Sequence, residues 1–412
     1  MFRNDLKIQE IIKKEYNDQE FINLMKKIIK DTTEHNSFYN DITKKLEFKI
    51  DNLNKIDDLF DIPFIPTNYF KESARLFKKL LKVPESSLIH WNVSSCTSGD
   101  PSLVGVNKND DEFLIQMSEK LYLDFIPRDW ERAKIYCFSP SAKMLNRIVM
   151  RYTKVRPIHA YTSNFYYVTK KMAKLEYLIK FSILKALKSI IVTRSLVGAF
   201  DVNSNLVLKT IEKNIKKPKD KQIYIALGGG VQLIKKFIDL MKERKISYNL
   251  GDQFDVVSGG GGWGGHKAQM KTEPVNKEEY VSGLVELFGT DSKQIIDIYG
   301  FTETPIIFMG HWSKKYNDFI MHCPPFARIL VRDPDKLEPL KKKGDRGLLE
   351  VITPFGAEAS VNHAILVDDS VELISMDKCP ECGYKGTTFR ILGRVVDKEG
   401  IGCSSIITWL NG

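Results

Sequence analysis

The stretch from Gln222 to Met241 constrains the fold more than any other. Gln222-Ile223-Tyr224-Ile225-Ala226-Leu227 is a short apolar strand. It runs into Gly228-Gly229-Gly230 and then into an amphipathic helix with Leu233, Ile234, Phe237, Ile238 and Met241 on one face. Strand, glycine turn and helix in that order form the repeating unit of an α/β protein. The alternation runs from about residue 112 to 290. Ala133-Lys134-Ile135-Tyr136-Cys137-Phe138 is a strand ending at Ser139-Pro140, and Phe254-Asp255-Val256-Val257 is another. The latter enters Ser258-Gly259-Gly260-Gly261-Gly262-Trp263-Gly264-Gly265. So many glycines imply close backbone approach to something flat or phosphorylated, the alternative being a hairpin tip.

Three regions follow. Residues 1–83 read as mainly helical, with Ile8, Ile11, Ile12 and Tyr16, then Phe21, Leu24, Met25 and Ile28, at three- and four-residue spacings. Asp61 to Thr67 is an extended linker because Pro63 and Pro66 disfavour helix. Residues 84–310 form the α/β core. Residues 311–412 read as β-rich, with strands near 326–333 and 347–353, a cysteine knuckle and a short tail. The chain of 412 residues is 43% hydrophobic, enough for a large core with more than one subdomain. It has no apolar run of transmembrane length and no signal-peptide core, so a cytoplasmic location is expected. The net charge of +10 comes from lysines spread among acids and apolar residues. No nucleic-acid-binding signature accompanies it, and no nucleic-acid partner is expected.

Trp91 to Pro101 reads W-N-V-S-S-C-T-S-G-D-P. Hydroxyl groups and backbone N–H donors beside a glycine suit a loop around a polyphosphate. The spacing is not that of a Walker A loop. Taken alone, the run reads first as a surface Ser/Thr loop. Further on stand Tyr299-Gly300-Phe301-Thr302-Glu303 and Phe389-Arg390-Ile391-Leu392-Gly393-Arg394.

The hydroxyl loop, the glycine-rich strand end, Y-G-F-T-E and the arginine motif, in that order, resemble the acyl-adenylate-forming superfamily. Within it the chain is most similar to the acyl-protein synthetases of the LuxE type and to phenylacetate-CoA-ligase-like proteins. His322-Cys323-Pro324-Pro325, Val331-Arg332-Asp333-Pro334, Gly344-Asp345-Arg346-Gly347 and Gly402-Cys403-Ser404 add to the likeness, which spans roughly residues 60 to 412. The resemblance implies that Ser94, Ser95, Thr97, Ser98 and Gly99 hold the β- and γ-phosphates of ATP. Tyr299 would flank the adenine with Gly259, Gly260 and Gly261. Thr302 would touch the α-phosphate and Glu303 would hold Mg²⁺. Asp369, beside Asp368, stands where the family has its ribose-binding aspartate, and Arg394 would take ribose or phosphate. The implied reaction turns a carboxylic acid, expected to be a fatty acid, and ATP into acyl-AMP and pyrophosphate. The acyl group then passes to Cys403 or a partner thiol, with an acyl reductase, an acyl carrier protein or CoA as final acceptor.

Two departures stand out. Cys96 replaces a glycine of the phosphate loop, and no lysine follows Pro101. The mobile C-terminal domain of the large superfamily members is replaced by a very short tail beyond Arg394. Cys379-Pro380-Glu381-Cys382-Gly383-Tyr384 is a zinc-knuckle sequence that supplies two thiolates. Related ligases place the other ligands after Y-G-x-T-E, where this chain has His311 and His322, with Cys323 as a competitor. A structural Zn²⁺ on His311, His322, Cys379 and Cys382 is therefore expected, against a metal-free turn. Cys403 matches the acyl-carrying position of the bioluminescence enzyme, and its alternative is a core cysteine in a closing strand. Two rival functions remain: a phenylacetate-type acid–CoA ligase, and a non-catalytic nucleotide- or partner-binding scaffold of the same fold.

Overall fold

The computed structural model describes residues 8–93, 102–126, 132–138, 165–171, 200–261, 263–264, 266–267, 270–271 and 274–394. Three helices open it: α1 (Ile8–Lys13), α2 (Asp18–His35) and α3 (Ser37–Lys45). Asn17 caps α2 in a reciprocal capping box with Glu20, satisfying two end N–H groups. Phe21, Ile22, Met25, Ile28 and Ile29 form its buried face. Asn36 alone separates α2 from α3. It accepts from the Tyr39 N–H at 2.8 Å and donates to the carbonyls of Lys79 and Leu81 at 2.8 and 2.9 Å. Regular α-helix then stops at Lys45. Residues 46–83 hold short 3₁₀ turns and extended chain, consistent with their prolines and run of Asp and Asn. Within them β1 (Ile65–Pro66) joins the main sheet, parallel to residues 365–366.

The hairpin β2 (His90–Val93) and β3 (Leu103–Val106) follows, with Val93 opposite Leu103. Next come α4 (Lys108–Phe125), β4 (Ala133–Phe138), β5 (Phe165–Tyr167), the pair β6 (Thr169–Lys171) and β7 (Phe200–Val202), and α5 (Ser204–Ile215). The core continues through β8 (Tyr224–Gly230), α6 (Val231–Glu243), β9 (Phe254–Gly259), the short pair β10 (His266–Lys267) and β11 (Met270–Lys271), α7 (Lys277–Phe288) and β12 (Ile295–Gly300). The remainder is β: β13 (Ile307–Ser313), β14 (Asp318–His322), β15 (Arg328–Arg332), β16 (Pro339–Leu340), β17 (Arg346–Ile352), β18 (Ala364–Ser375) and β19 (Thr388–Arg394).

The two β-containing regions read from the sequence are one sheet. Its order is β16-β15-β17-β18-β19-β14-β13-β12-β9-β8-β4-β5, with β1 beside β18. From β5 to β12 every pairing is parallel, and from β12 to β16 every pairing along this order is antiparallel, β1 alone lying parallel to β18. The antiparallel step from β12 to β13 joins the halves. In the parallel half, Phe237 of α6, Phe254 of β9 and Phe288 of α7 are fully buried, with Phe254 and Phe288 stacked at 4.0 Å. Each such ring contributes about 1.5–3 kcal/mol of burial.

One local expectation changes. Gly228-Gly229-Gly230 does not turn; it continues β8 between Cys137–Phe138 and Val257–Gly259. Gly229 has φ +128°, and a Cβ there would lie 2.6 Å from the Phe138 carbonyl oxygen. The glycines let the central strand run tight against β4, and the helix begins directly at Val231.

Candidate functional site

The site is built around the end of β12. That strand delivers Tyr299 and Gly300, and the chain turns through Phe301, Thr302 and Glu303 before β13 returns antiparallel. Glu303 is buried, and its backbone carbonyl accepts from Asn362 Nδ2 at 3.1 Å. Burial raises the Glu303 carboxyl above the usual carboxylate range. The neighbouring Ser102 hydroxyl and the nearby charge of Lys71 oppose that rise, and Asp368 adds to it. Half-buried Thr302 lines a small cleft with Asn92, Val104, Asp110 and Asn362.

Ser94, Ser95, Cys96, Thr97, Ser98 and Gly99 lie outside the described residues. Their flanks are described. Val93 and Leu103 face each other in the hairpin, and Ser102 is fully buried beside Glu303. Cys403 also lies outside the described residues.

Tyr299 and Asp369 come from strands far apart in the sheet, yet the Tyr299 hydroxyl donates to Asp369 Oδ2 at 2.6 Å. Asp368 instead accepts from Thr67 Oγ1 at 3.4 Å. The two adjacent carboxylates, which the sequence left hard to separate, thus have different partners. Arg394 is the register partner of Asp369 across β18 and β19.

Gly259 ends β9 against Ile298. Gly260 and Gly261 follow with φ +79° and +65°, in the left-handed region that glycine tolerates. Trp263 at the far side of this turn donates its indole N–H to Asp297 Oδ2 at 3.0 Å. Asp297 is buried in β12. Burial pushes its carboxyl up to about 7, against the pull of Trp263, Lys277 and Ser258. Sequence reading passed over Asp297 and Trp263. Their only signals were a lone acid in an apolar strand and a lone tryptophan among glycines.

A second constellation lies on the antiparallel half. His311 on β13 and His322 on β14 stack their rings at 5.1 Å. The turn Cys379 to Gly383 brings two thiols to them, with Gly383 at φ +76°. His311 Nε2 is 3.5 Å from Cys379 Sγ, and His322 Nε2 is 3.7 Å from Cys382 Sγ. The four ligand atoms lie within 4.8 Å of one another. The N–H groups of Glu381 and Cys382 both point at Cys379 Sγ at 3.4 Å, and His311 Nδ1 lies 3.1 Å from the Trp312 carbonyl. Burial and the neighbouring His311 drive His322 down to about 3, so it stays neutral and able to ligate. Cys323 is buried apart from this group, its thiol raised to about 12 by burial. Cys137 is a core residue.

The chain matches the family "Acyl-protein synthetase, LuxE" over residues 10–237 and 231–409. It is 23% identical over 357 residues to the long-chain-fatty-acid–luciferin-component ligase of Aliivibrio fischeri, covering 86% of this chain and 79% of that one. To the ligase of the same description from Vibrio harveyi it is 24% identical over 389 residues, covering 94% and 88%. Among solved structures it is similar to 2-hydroxyisobutyryl-CoA ligase in an open conformation with 2-HIB-AMP and CoA. The TM-score is 0.58 at 15% identity, over 92% of this chain and 70% of that one. That likeness shows a shared fold, the mixed α/β architecture of adenylate-forming ligases. With both halves of its length matched, the chain belongs to the acyl-protein synthetase family.

Proposed function

We infer that this enzyme activates a long-chain fatty acid with ATP and transfers the acyl group to a protein thiol. The observation that carries this reading is the convergence at the end of β12. Tyr299 is bonded to Asp369, Glu303 is buried beside Ser102, and the glycine turn Gly259–Gly261 ends the neighbouring strand. The relatives' long-chain-fatty-acid substrate supplies the acid class.

In the first step a carboxylate oxygen of the acid attacks the α-phosphorus of ATP. The bond between that phosphorus and the bridging oxygen to the β-phosphate breaks, and pyrophosphate leaves with the electron pair. Thr302 contacts the α-phosphate, Asp369 holds the ribose, and Tyr299 with the glycine turn flanks the adenine. Arg394 takes ribose or phosphate, and Ser94, Ser95, Thr97, Ser98 and Gly99 take the β- and γ-phosphates. Glu303 fits a Mg²⁺ ligand, because a buried carboxylate with a raised pKa gains most from a cation beside it. When bound, the ion shields the phosphate charge. In the second step a thiolate, that of Cys403 or a partner, attacks the acyl carbonyl. The bond to AMP breaks, leaving a thioester and AMP. An acyl reductase, an acyl carrier protein or CoA then receives the acyl group.

His311, His322, Cys379 and Cys382 fit a structural Zn²⁺. Zinc–ligand bonds of about 2.0–2.3 Å at tetrahedral angles put ligand atoms about 3.3–3.8 Å apart, as the 3.5 and 3.7 Å contacts do. The two N–H groups aimed at Cys379 Sγ are the support a thiolate ligand uses.

ATP–pyrophosphate exchange over a panel of fatty and aromatic acids tests the first step, with wild type beside Cys403→Ala. Exchange in both proteins, with acyl label retained only on the wild type, is the expected result. Label appearing only on CoA would move the assignment to an acid–CoA ligase. No exchange with any acid would favour a scaffold.

A further inference from the structure

The stretch proposed to wrap the triphosphate, Ser94 to Pro101, contains no lysine or arginine, and Asp100 adds a negative charge. Hydroxyl and N–H donors bind phosphate oxygens. A departing pyrophosphate is also stabilised by positive charge, and beyond the Mg²⁺ that Glu303 would hold and the guanidinium of Arg394, a side-chain ammonium near that stretch would add to it.

The segment after β1 is placed to supply it. β1 runs beside Ile365 and Leu366 of β18, and the next residue, Thr67, bonds Asp368 next to Asp369. A single 3₁₀ turn, Thr67–Phe70, is locked by buried Thr67, Tyr69 and Phe70. It delivers Lys71, which forms an antiparallel bridge with Ser102, the residue directly following the hydroxyl stretch. The Lys71 backbone thus follows directly from a segment held to the middle of β18, through Thr67 on Asp368, and is bridged to the exit of that stretch. Lys71 is half-buried, and its charge reaches Glu303 through space. Lys71, which the proposed mechanism has not yet used, therefore lies against Ser102, within electrostatic reach of Glu303, and four residues beyond the Thr67 that bonds Asp368.

We propose that Lys71 is a triphosphate-binding catalytic residue, its ammonium contacting the β- and γ-phosphate oxygens of ATP and holding the charge on pyrophosphate as it leaves. Lys71 stands in for the lysine missing after Pro101. It arrives from a distant segment through the bridge to Ser102. The proposal rests on the adenylation reading above. No bond to Lys71 forms or breaks; it shifts charge stabilisation toward the transition state.

The test is ATP–pyrophosphate exchange by the full chain with Mg²⁺ and a long-chain fatty acid. Lys71→Met and Lys71→Arg are compared with wild type and with Lys78→Met, a surface lysine paired with Glu85. Lys71→Met is expected to lower kcat about 100-fold and to raise the KM for ATP about tenfold, the scale of losing one charged transition-state contact. The KM for the acid should change less than about twofold. Lys71→Arg should recover part of the rate, Lys78→Met should match wild type, and all variants should melt close to wild type. Wild-type kinetics in Lys71→Met would overturn the Lys71 proposal alone. Equal weakening of ATP and acid without recovery by arginine would assign Lys71 a structural role and overturn it as well. A wild type inert with every acid would remove the adenylation reading and this proposal together.

Discussion

The parallel and antiparallel halves of the sheet solve different problems. In the parallel half, successive strands are joined by crossovers that carry α6 and α7, and the strand ends point to turns. Those ends are where open backbone is available to a ligand. Gly259–Gly261, Tyr299 and the Thr302–Glu303 turn sit there. In the antiparallel half, short connections bring side chains of adjacent strands together, so cross-links become possible. The His311–His322–Cys379–Cys382 cluster is one. The buried Arg332–Glu350 ion pair between β15 and β17 is another. One half leaves backbone open at its strand ends, where the nucleotide is proposed to bind, and the other ties strands by side chains. Asp369 belongs to the second half yet bonds Tyr299 of the first, so the candidate site needs both.

The sharpest way to break this contrast is to remove a cross-link. Cys379→Ser or Cys382→Ser should abolish the proposed zinc binding and destabilise the fold by several kcal/mol, since metal affinity is coupled to folding. Elemental analysis of the purified chain should give one zinc per wild-type molecule and none in the variants. Intact stability in a metal-free variant would remove the structural role. In the parallel half the matching lesion is steric. Gly229→Ala places a Cβ 2.6 Å from a carbonyl oxygen at an unfavourable φ, and should cost about 2–4 kcal/mol in denaturant unfolding. The same change at Gly261, where a Cβ meets nothing within 4 Å, should cost less, through its positive φ alone.

Asp297 sharpens the comparison through pH. Its carboxyl titrates near pH 3.8 when exposed and is raised to about 7 in the fold. The folded state therefore favours the protonated acid. That stabilisation is complete below about pH 4 and is lost as pH rises through about 7. Asp297→Asn mimics the neutral acid and keeps an acceptor for Trp263. Denaturant midpoints should fall with pH more steeply in wild type than in the variant between pH 4 and 7, by a few kcal/mol at most. Parallel pH profiles would show that Asp297 does not carry the slope.

The smallest effect is expected at the seam. Tyr299→Phe removes the bond to Asp369 while leaving the ring against Phe301 and Phe308. About 1–2 kcal/mol should be lost, read as a several-fold rise in the KM for ATP with little change in the KM for the acid. An unchanged KM for ATP would separate this bond from nucleotide binding.

Much of this was legible in the sequence because its signals are local. Helical spacing marks the buried face of α2, and apolar runs mark β4 and β9. The C-x-x-C-G turn announces a pair of thiols whatever surrounds it. Other features were not legible for the same reason. Gly228–Gly230 suits a turn as well as a strand, and only the closeness of β4 makes it a strand. Lys71 has no motif around it that connects it to Ser102, thirty-odd residues away in the chain.

By itself, then, the sequence determined the alternation of strand and helix, the positions where glycine is needed, and the motif order that marks the family. Periodicity, backbone freedom and short spacings are properties of neighbouring residues, and they survive without knowledge of the fold. Tertiary structure alone decided that the α/β and β-rich regions share one sheet, and that Asp369 and not Asp368 meets Tyr299. It also set Trp263 on Asp297 and Lys71 on Ser102. Each of these depends on strand order and register, where a shift of one residue turns every side chain to the opposite face.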